Sequence, residues 1–235
     1  MITFNPAYNI NFKSYRHEIL DKYGNVINRA DTCMFRWDLD FDYLINFMEY
    51  KYRDADKVNI IAHACSDGEE IYSFISKLID SLGLNNAEKY LPVMARDIEP
   101  LHIALAKKAE YRISPQEEPA IDYYLGENFF KYFNYISPNI IKPVSNLSKY
   151  VNFAQSDIME DAKTLDFKNT VLLARNFWHY LGDDNIYKLA RILSERMDKS
   201  STLVTGGYDQ RYGVENVLLE CGFCKTRLNH VFEKI

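Results

Sequence analysis

Glycine is scarce in this chain, with 9 among 235 residues, about half the usual share of ~7%. That excludes collagen-like and glycine-rich folds and argues against the triple-glycine dinucleotide loop. Any cofactor site must therefore be built around few glycines. Long apolar runs are also missing: none approaches the roughly 18 residues of a membrane helix. The opening stretch MITFNPAYNINFKSYRHE is too polar for a signal peptide. Neither membrane insertion nor secretion is expected, and the expected compartment is cytoplasmic. There is no basic cluster, and 28 Lys and Arg stand against 33 Asp and Glu for a formal charge of −5. Duplex binding needs neutralised phosphates, so no nucleic-acid partner is expected. Repeats and low-complexity tracts are absent as well.

The four cysteines, Cys33, Cys65, Cys221 and Cys224, read as reduced thiols. Cys221 and Cys224 form one CxxC followed by His230, with no fourth ligand at a fitting spacing, so no metal site is expected. What the chain does have is a hydrophobic fraction of 47%, too high for disorder and enough for a sizeable core without staples.

Along the chain, short apolar runs alternate with helical patterns. Lys57–His63 (KVNIIAH) suits a strand buried on both faces. Gly68 then opens a helix with Ile71, Phe74, Ile75, Leu78 and Ile79 on one side and two glutamates in its first turn, at the positive end of the dipole. Strands are predicted at Tyr90–Ile98, Tyr150–Ala154, Thr170–Ala174 and Thr202–Thr205, and a closing one near Leu228–Phe232. Helices are predicted at Asp40–Tyr52, Pro100–Glu110, Asn185–Met197 and Val214–Glu220, with a turn at Gly222. This is an α/β pattern: a mostly parallel sheet with helices on both faces. Residues 1–56 read as a helical or irregular arm contributing to the site, and residues 57–235 as the main domain. A prolyl- and aromatic-rich stretch over residues 111–149, containing FFKYFNYIS, reads as a small inserted subdomain with an antiparallel sheet. The aromatic run reads as its core, since no basic groove accompanies it to make a base-stacking platform.

In a parallel sheet, ligands bind beyond the carboxyl ends of the strands, near the switch in strand order. Three segments fall at such ends: Ala64–Ser73 (ACSDGEEIYS), Ala95–Glu99 (ARDIE) and Ala174–Tyr180 (ARNFWHY). Asp97 is placed to accept both hydroxyls of a ribose. His63 reads as a strand-end residue, His179 as a histidine with its hydrogen bonds satisfied, and Cys65 as a small buried side chain.

Taken in order, these segments resemble the CheR-type chemoreceptor glutamate methyltransferases, which use S-adenosylmethionine on a class I, Rossmann-like fold. CSDGEEIYS resembles the family's CSTGEEPYS, with Asp67 for Thr and Ile71 for Pro. ARDIE resembles ATDID, ARNFWHYL resembles CRNVxIYF, and LVTGGYDQ resembles LxxGHSE. Upstream, Thr32–Arg36 resembles the end of NxTxFFR, with Ala30 in place of the asparagine, and YRIS and KYVNFAQSDIME match further family segments. Little room precedes residue 32 for the family's N-terminal helical domain.

The resemblance implies S-adenosylmethionine as cofactor and S-adenosylhomocysteine as product. It implies cofactor contacts from Thr32, Arg36, Ala64, Ser66 and Glu69. Asp97 and Ile98 follow at the ribose, Asp157 and Ile158 beside the adenine where the family has Asn-Leu, and Asn176 and Phe177 at the Asn-Val pair. Arg36 and Tyr180 match the arginine and tyrosine near the transferred methyl group and are the implied catalytic residues. A carboxylate nucleophile is already ionised at neutral pH, so alignment matters and no general base is needed. Arg36 can hold such a carboxylate and Tyr180 can hydrogen-bond it. The implied partner is a protein with accessible carboxylates. A rival reading is a non-catalytic relative that binds the cofactor and works through the aromatic insertion. A phosphate-free cofactor also suits the glycine count, since only Gly68 is then expected to be needed at the pocket.

Overall fold

A computed structural model describes residues 17–20, 26–30 and 32–234; of the predicted arm, residues 1–16, 21–25 and 31 lie outside the described residues. The described residues begin with an antiparallel strand pair, β1 (His17–Leu20) and β2 (Val26–Ala30), which the sequence reading did not anticipate. Helix α1 (Phe41–Lys51) follows, capped by Asp40, whose carboxylate accepts from the Tyr43 N–H at 3.1 Å. Strand β3 (Asn59–His63) leads into α2 (Glu69–Leu82), and β4 (Val93–Asp97) into α3 (Pro100–Lys108). The insertion comprises β5 (Tyr111–Arg112), α4 (Glu118–Tyr124), β6 (Phe133–Ser137) and β7 (Ile140–Pro143). The chain then runs through β8 (Val151–Gln155), α5 (Ile158–Thr164), β9 (Thr170–Ala174), α6 (Asp183–Arg196) and β10 (Thr202–Val204). It closes with α7 (Gly207–Arg211), α8 (Val214–Glu220), β11 (Phe223–Lys225) and β12 (Val231–Lys234).

Seven strands form the main sheet in the order β11-β12-β10-β9-β3-β4-β8. All pairs are parallel except those made by β12, which runs antiparallel to both β10 and β11. Where one closing strand was expected near Leu228–Phe232, there are two, β11 and β12, because the short run after Gly222 pairs back along the chain's end. The strand expected from Tyr90 begins only at Val93, since Glu88–Tyr90 is a 3-10 turn and Pro92, without an N–H, cannot donate to the ladder.

Burial explains why the central runs carry no polar alternation. Every residue of β9 is buried. Its Val171 and Leu173 join the core under α1, α2 and the insertion, while Leu172 and Ala174 join the core under α5, α6 and α8. Ile60 and Ile61 of β3 divide in the same way. A strand feeding two cores must be apolar throughout.

The insertion is a three-stranded antiparallel sheet, β5-β7-β6, turned at Pro138–Asn139 with Asn139 at φ 62. The FFKYFNYIS stretch divides: Phe129–Tyr132 is one helical turn and Phe133–Ser137 is β6, with Phe129 stacked on the buried Phe133 at 5.5 Å. Phe130 and Tyr135 instead face outward. The insertion is stapled to the segment ahead of α1 by the buried Glu117. Its carboxylate accepts from the Met34 N–H at 2.9 Å and from the N–H and O–H of Ser114 at 2.8 and 2.6 Å. Glu117→Gln would turn an amide against those donors, and a loss of about 1–3 kcal/mol is expected in urea unfolding.

Candidate functional site

The order of strands reverses at β3, with β4 and β8 on one side and β9 and β10 on the other. Connections leaving β3 and β9 therefore diverge and open a crevice at the carboxyl ends. A cavity of about 520 Å³ occupies it, a size suited to a small-molecule ligand.

The loop after β3 forms its floor. Ala64, Ser66 and Gly68 have φ of 54, 50 and 88, and non-glycine residues held in that region cost of order 1–3 kcal/mol each. Neighbouring groups hold them there. The Cys65 N–H donates to the Arg96 carbonyl at 3.0 Å, and the Ser66 N–H donates to Asp97 Oδ2 at 2.8 Å. Gly68 is required on two counts: its φ, and a Cβ that would sit 3.0 Å from the Phe153 ring. The Ser66 hydroxyl oxygen is buried and has no hydrogen-bond partner among the described residues.

On the β4–β8 side, Asp97 ends its strand nearly buried, its Oδ1 accepting from the Glu99 N–H at 3.0 Å. Ile98 stands exposed at the rim, with its carbonyl held by Gln155 Nε2 at 3.0 Å. Asp157 caps α5, accepting from the Met159 N–H at 2.8 Å, and Ile158 follows it into the wall. Behind them His63 Nε2 lies 3.1 Å from Asp161. That bond outweighs the effect of burial and holds the Asp161 carboxyl below its usual value.

On the β3–β9 side the wall is a buried ionic network. Arg175 pairs with Asp38 at 2.6 Å and Glu70 at 2.7 Å. Asp38 also accepts from Asn176 Nδ2 at 3.0 Å and the Gly207 N–H at 2.7 Å. Burial would raise the Asp38 carboxyl, but Arg175 and these donors hold it below the usual range. Asn176 is at φ 60, and its Oδ1 accepts from the Tyr208 N–H at 3.0 Å. A Cβ on Gly206 would lie 2.0 Å from that oxygen. Gly206 is thus a second glycine on which the pocket depends, correcting the expectation that Gly68 alone is needed. Asp209 completes the network with Asn176, Gly206 and Trp178 N–H donors at 2.6, 2.8 and 3.1 Å, while burial pushes it up to about 6.

Thr32 and Arg36 reach this wall from the segment ahead of α1. That segment is held at Phe35, φ 47, whose N–H donates to Ser73 Oγ of α2 at 2.9 Å and whose ring stacks on Tyr124 of the insertion at 5.0 Å. Burial works against the Arg36 charge, but Glu70 and Asp38 more than compensate and keep it protonated.

All the sequence-predicted site residues meet at this one cavity except Glu69. Of the glutamate pair it is Glu70 that lines the cavity. Glu69 is hydrogen-bonded to the Thr32 side chain, and burial together with Glu117 and Asp67 pushes its pKa well above the carboxylate range. Successive helical residues point about 100° apart, so only one of the pair can face the ligand. His179 also departs from expectation: its Nδ1 is buried without a hydrogen-bond partner among the described residues, and its ring packs against Tyr180 at 3.9 Å and Tyr212 at 4.8 Å. Burial lowers its pKa. The sequence reading also missed Asp38, Arg175, His102 and Tyr212. Arg175 was visible as a cation ending an all-apolar strand, which demands a buried counter-ion; nothing local marks Asp38.

The donor set fits a nucleoside without phosphates. Asp97, Asp157 and Glu70 give the cavity carboxylates that accept from hydroxyls and amines and would repel a pyrophosphate, and the Ser66 hydroxyl has a bond to gain. Among the described residues no helix is long and apolar enough to cross a membrane.

A family model described as CheR methyltransferase, SAM binding domain, matches residues 30–222. The chain is 24% identical over 207 residues to a chemotaxis protein methyltransferase of Borreliella burgdorferi, covering 85% of this chain and 70% of that protein. Among solved structures, a TehB-like SAM-dependent methyltransferase from Corynebacterium glutamicum is 13% identical with a TM-score of 0.39, covering 79% of this chain and 84% of that one. An S-adenosylmethionine-dependent methyltransferase from Clostridium acetobutylicum is 15% identical with a TM-score of 0.37, covering 72% of this chain and 50% of that one.

Removing one partner of the buried network strands a charge. Arg175→Met is expected to cost about 3–5 kcal/mol in urea unfolding, with part regained in the Asp38→Asn/Arg175→Met double variant. Asp38, with its depressed folded pKa, adds stability above its unfolded pKa, and that contribution is lost as pH falls through the folded value. Asp38→Asn should therefore flatten the acid limb of the stability–pH curve measured from about pH 5 to about pH 2.

Proposed function

The chain belongs to the CheR methyltransferase family, and we propose that it transfers the methyl group of S-adenosylmethionine to a carboxylate, of glutamate type, on a protein. S-adenosylmethionine dependence and methyl transfer follow from the family and the class I fold. The carboxylate acceptor is our reading. The observation that carries it is the Arg36 guanidinium, which lines the cavity together with Tyr180, Asp97 and Asp157, while the other lining guanidinium, Arg175, is taken up by Asp38 and Glu70. The relative named as a chemotaxis protein methyltransferase supports a protein substrate.

In this reading Asp97 holds the ribose hydroxyls through the lone pairs its two backbone bonds leave open. Ile98 and Ile158 flank the adenine, and Asp157 accepts from its amino group. Thr32, Ala64, Ser66, Asn176 and Phe177 line the remainder. Glu70 takes the acidic role that the sequence comparison gave to Glu69. When bound, the cofactor would supply an electrophilic methyl group, passed in line from its sulfonium sulfur to a carboxylate oxygen while S-adenosylhomocysteine leaves as the neutral thioether.

Arg36 orients the acceptor carboxylate, and Tyr180 hydrogen-bonds one of its oxygens. Glu70 and Asp38 share the Arg36 charge, so the guanidinium steers the acceptor without quenching its nucleophilicity. No proton has to be removed from an ionised carboxylate, and positioning of this kind can supply several kcal/mol of the barrier reduction.

Two measurements test this. Asp97→Asn should raise the Kd for S-adenosylhomocysteine by roughly 10–100-fold in calorimetry, the worth of hydrogen bonds to a charged acceptor; unchanged binding would remove Asp97 from the site. With methyl-labelled cofactor and lysate protein, the label should be released as methanol by mild alkali, and Tyr180→Phe should slow its incorporation while leaving S-adenosylhomocysteine binding intact. Alkali-stable label would overturn the carboxylate reading.

A further inference from the structure

Behind the loop that carries Ser66 lies a buried acid–imidazole pair that methyl transfer does not use. Asp67 stands where the CheR-like loop has threonine, and its Oδ1 is 2.7 Å from Nδ1 of His102. His102 lies in the first half of α3 and borders the cavity. Both residues are almost sealed from solvent, at 4% and 2% exposure. The Asp67 carbonyl accepts from the Tyr111 hydroxyl at 2.9 Å. One loop residue is thereby tied to both α3 and the insertion. It is flanked by the left-handed Ser66 and Gly68, a backbone that its surroundings must hold in place.

We propose that the Asp67–His102 pair positions the cofactor loop, and that protonation of His102 couples the affinity for S-adenosyl ligands to pH. The inference rests on the reading that this cavity takes the S-adenosyl cofactor.

His102 faces Asp67 from the loop, Asp97 from the end of β4, Glu99 from the entry to α3, and Tyr111 from the insertion, whose hydroxyl is directed to the Asp67 carbonyl. Burial disfavours the imidazolium. The bond to Asp67 and the charges of Asp67, Asp97 and Glu99 outweigh it and raise the His102 pKa above its ordinary value. A protonated ring adds an ion-pair attraction to the hydrogen bond it donates to Asp67. Once the ring loses its proton, Nδ1–H still donates to the carboxylate but that attraction is gone, and the loop is held less firmly. The ligand must then order the loop itself. Affinity is greatest below the His102 pKa and declines as pH rises through it.

The test is calorimetry of the full chain with S-adenosylhomocysteine from about pH 6 to about pH 8.5, where the wild-type Kd is expected to rise roughly three- to tenfold. His102→Asn places an amide nitrogen where Nδ1 stands but cannot titrate. It should bind as weakly at low pH as the wild type does at high pH, with no slope. Asp67→Thr keeps the imidazole, removes the carboxylate and should lose the slope as well, which preserves the test if His102→Asn fails to fold. A flat wild-type profile, or a slope that survives in either variant, overturns the inference while leaving the cofactor assignment standing. No binding by the wild type at any pH overturns both.

Discussion

The pocket depends on the burial of Arg175. Its side chain is withdrawn from water at the end of a wholly buried strand and meets two carboxylates, Asp38 at one terminal nitrogen and Glu70 at the other. A charge so placed is tolerated only when paired. Its partners are therefore obliged to stay, and each brings its own segment. Asp38 fixes the stretch that presents Thr32 and Arg36 and also holds Asn176 and Gly207. Glu70 orients the first turn of α2 and, through it, the loop on which Ser66 and Gly68 stand. A buried ion pair is weak evidence for net stability; what this network does is join three distant segments at one wall.

In the proposed reading Asp97 and Asp157 take the nucleoside, while the Arg36 guanidinium, its charge shared with Glu70 and Asp38, takes the acceptor. A cofactor without phosphates also accords with so few glycines. Backbone amides need not crowd a phosphate, so most of the recognition falls to side chains. The two glycines the pocket does require serve other ends: Gly68 turns the loop under the Phe153 ring, and Gly206 makes room for the Asn176 amide.

Much of this is legible in the sequence. The runs TVLLA and NIIAH are apolar at their centres because each supplies two cores, and the strand-end segments could be ordered into a site because parallel sheets bind at their carboxyl ends. What escaped was set by distance or by phase. Glu69 and Glu70 are chemically identical in sequence, and only the helix's rotation decides which one faces the cavity. Asp38 carries no local signature, since its reason for being there is an arginine far along the chain. Likewise Asp67 shows in the sequence only as a departure from the family's threonine, and its partner His102 lies 35 residues further on. The strand pair β1–β2 and the short β11 lacked the length or apolar pattern that marks a buried strand.

The sequence separations within the network carry a further consequence for how the protein comes to exist. Asp38 meets its Asn176 partner across 138 residues and Gly207 across 169, and contacts that span such lengths form late because loop closure must precede them. During synthesis the sheet's centre can pair while the Asp38 segment still waits for α7 to emerge. The binding wall therefore cannot close before Gly207 is present, and ligand recognition needs the chain at least from Thr32 through Tyr212.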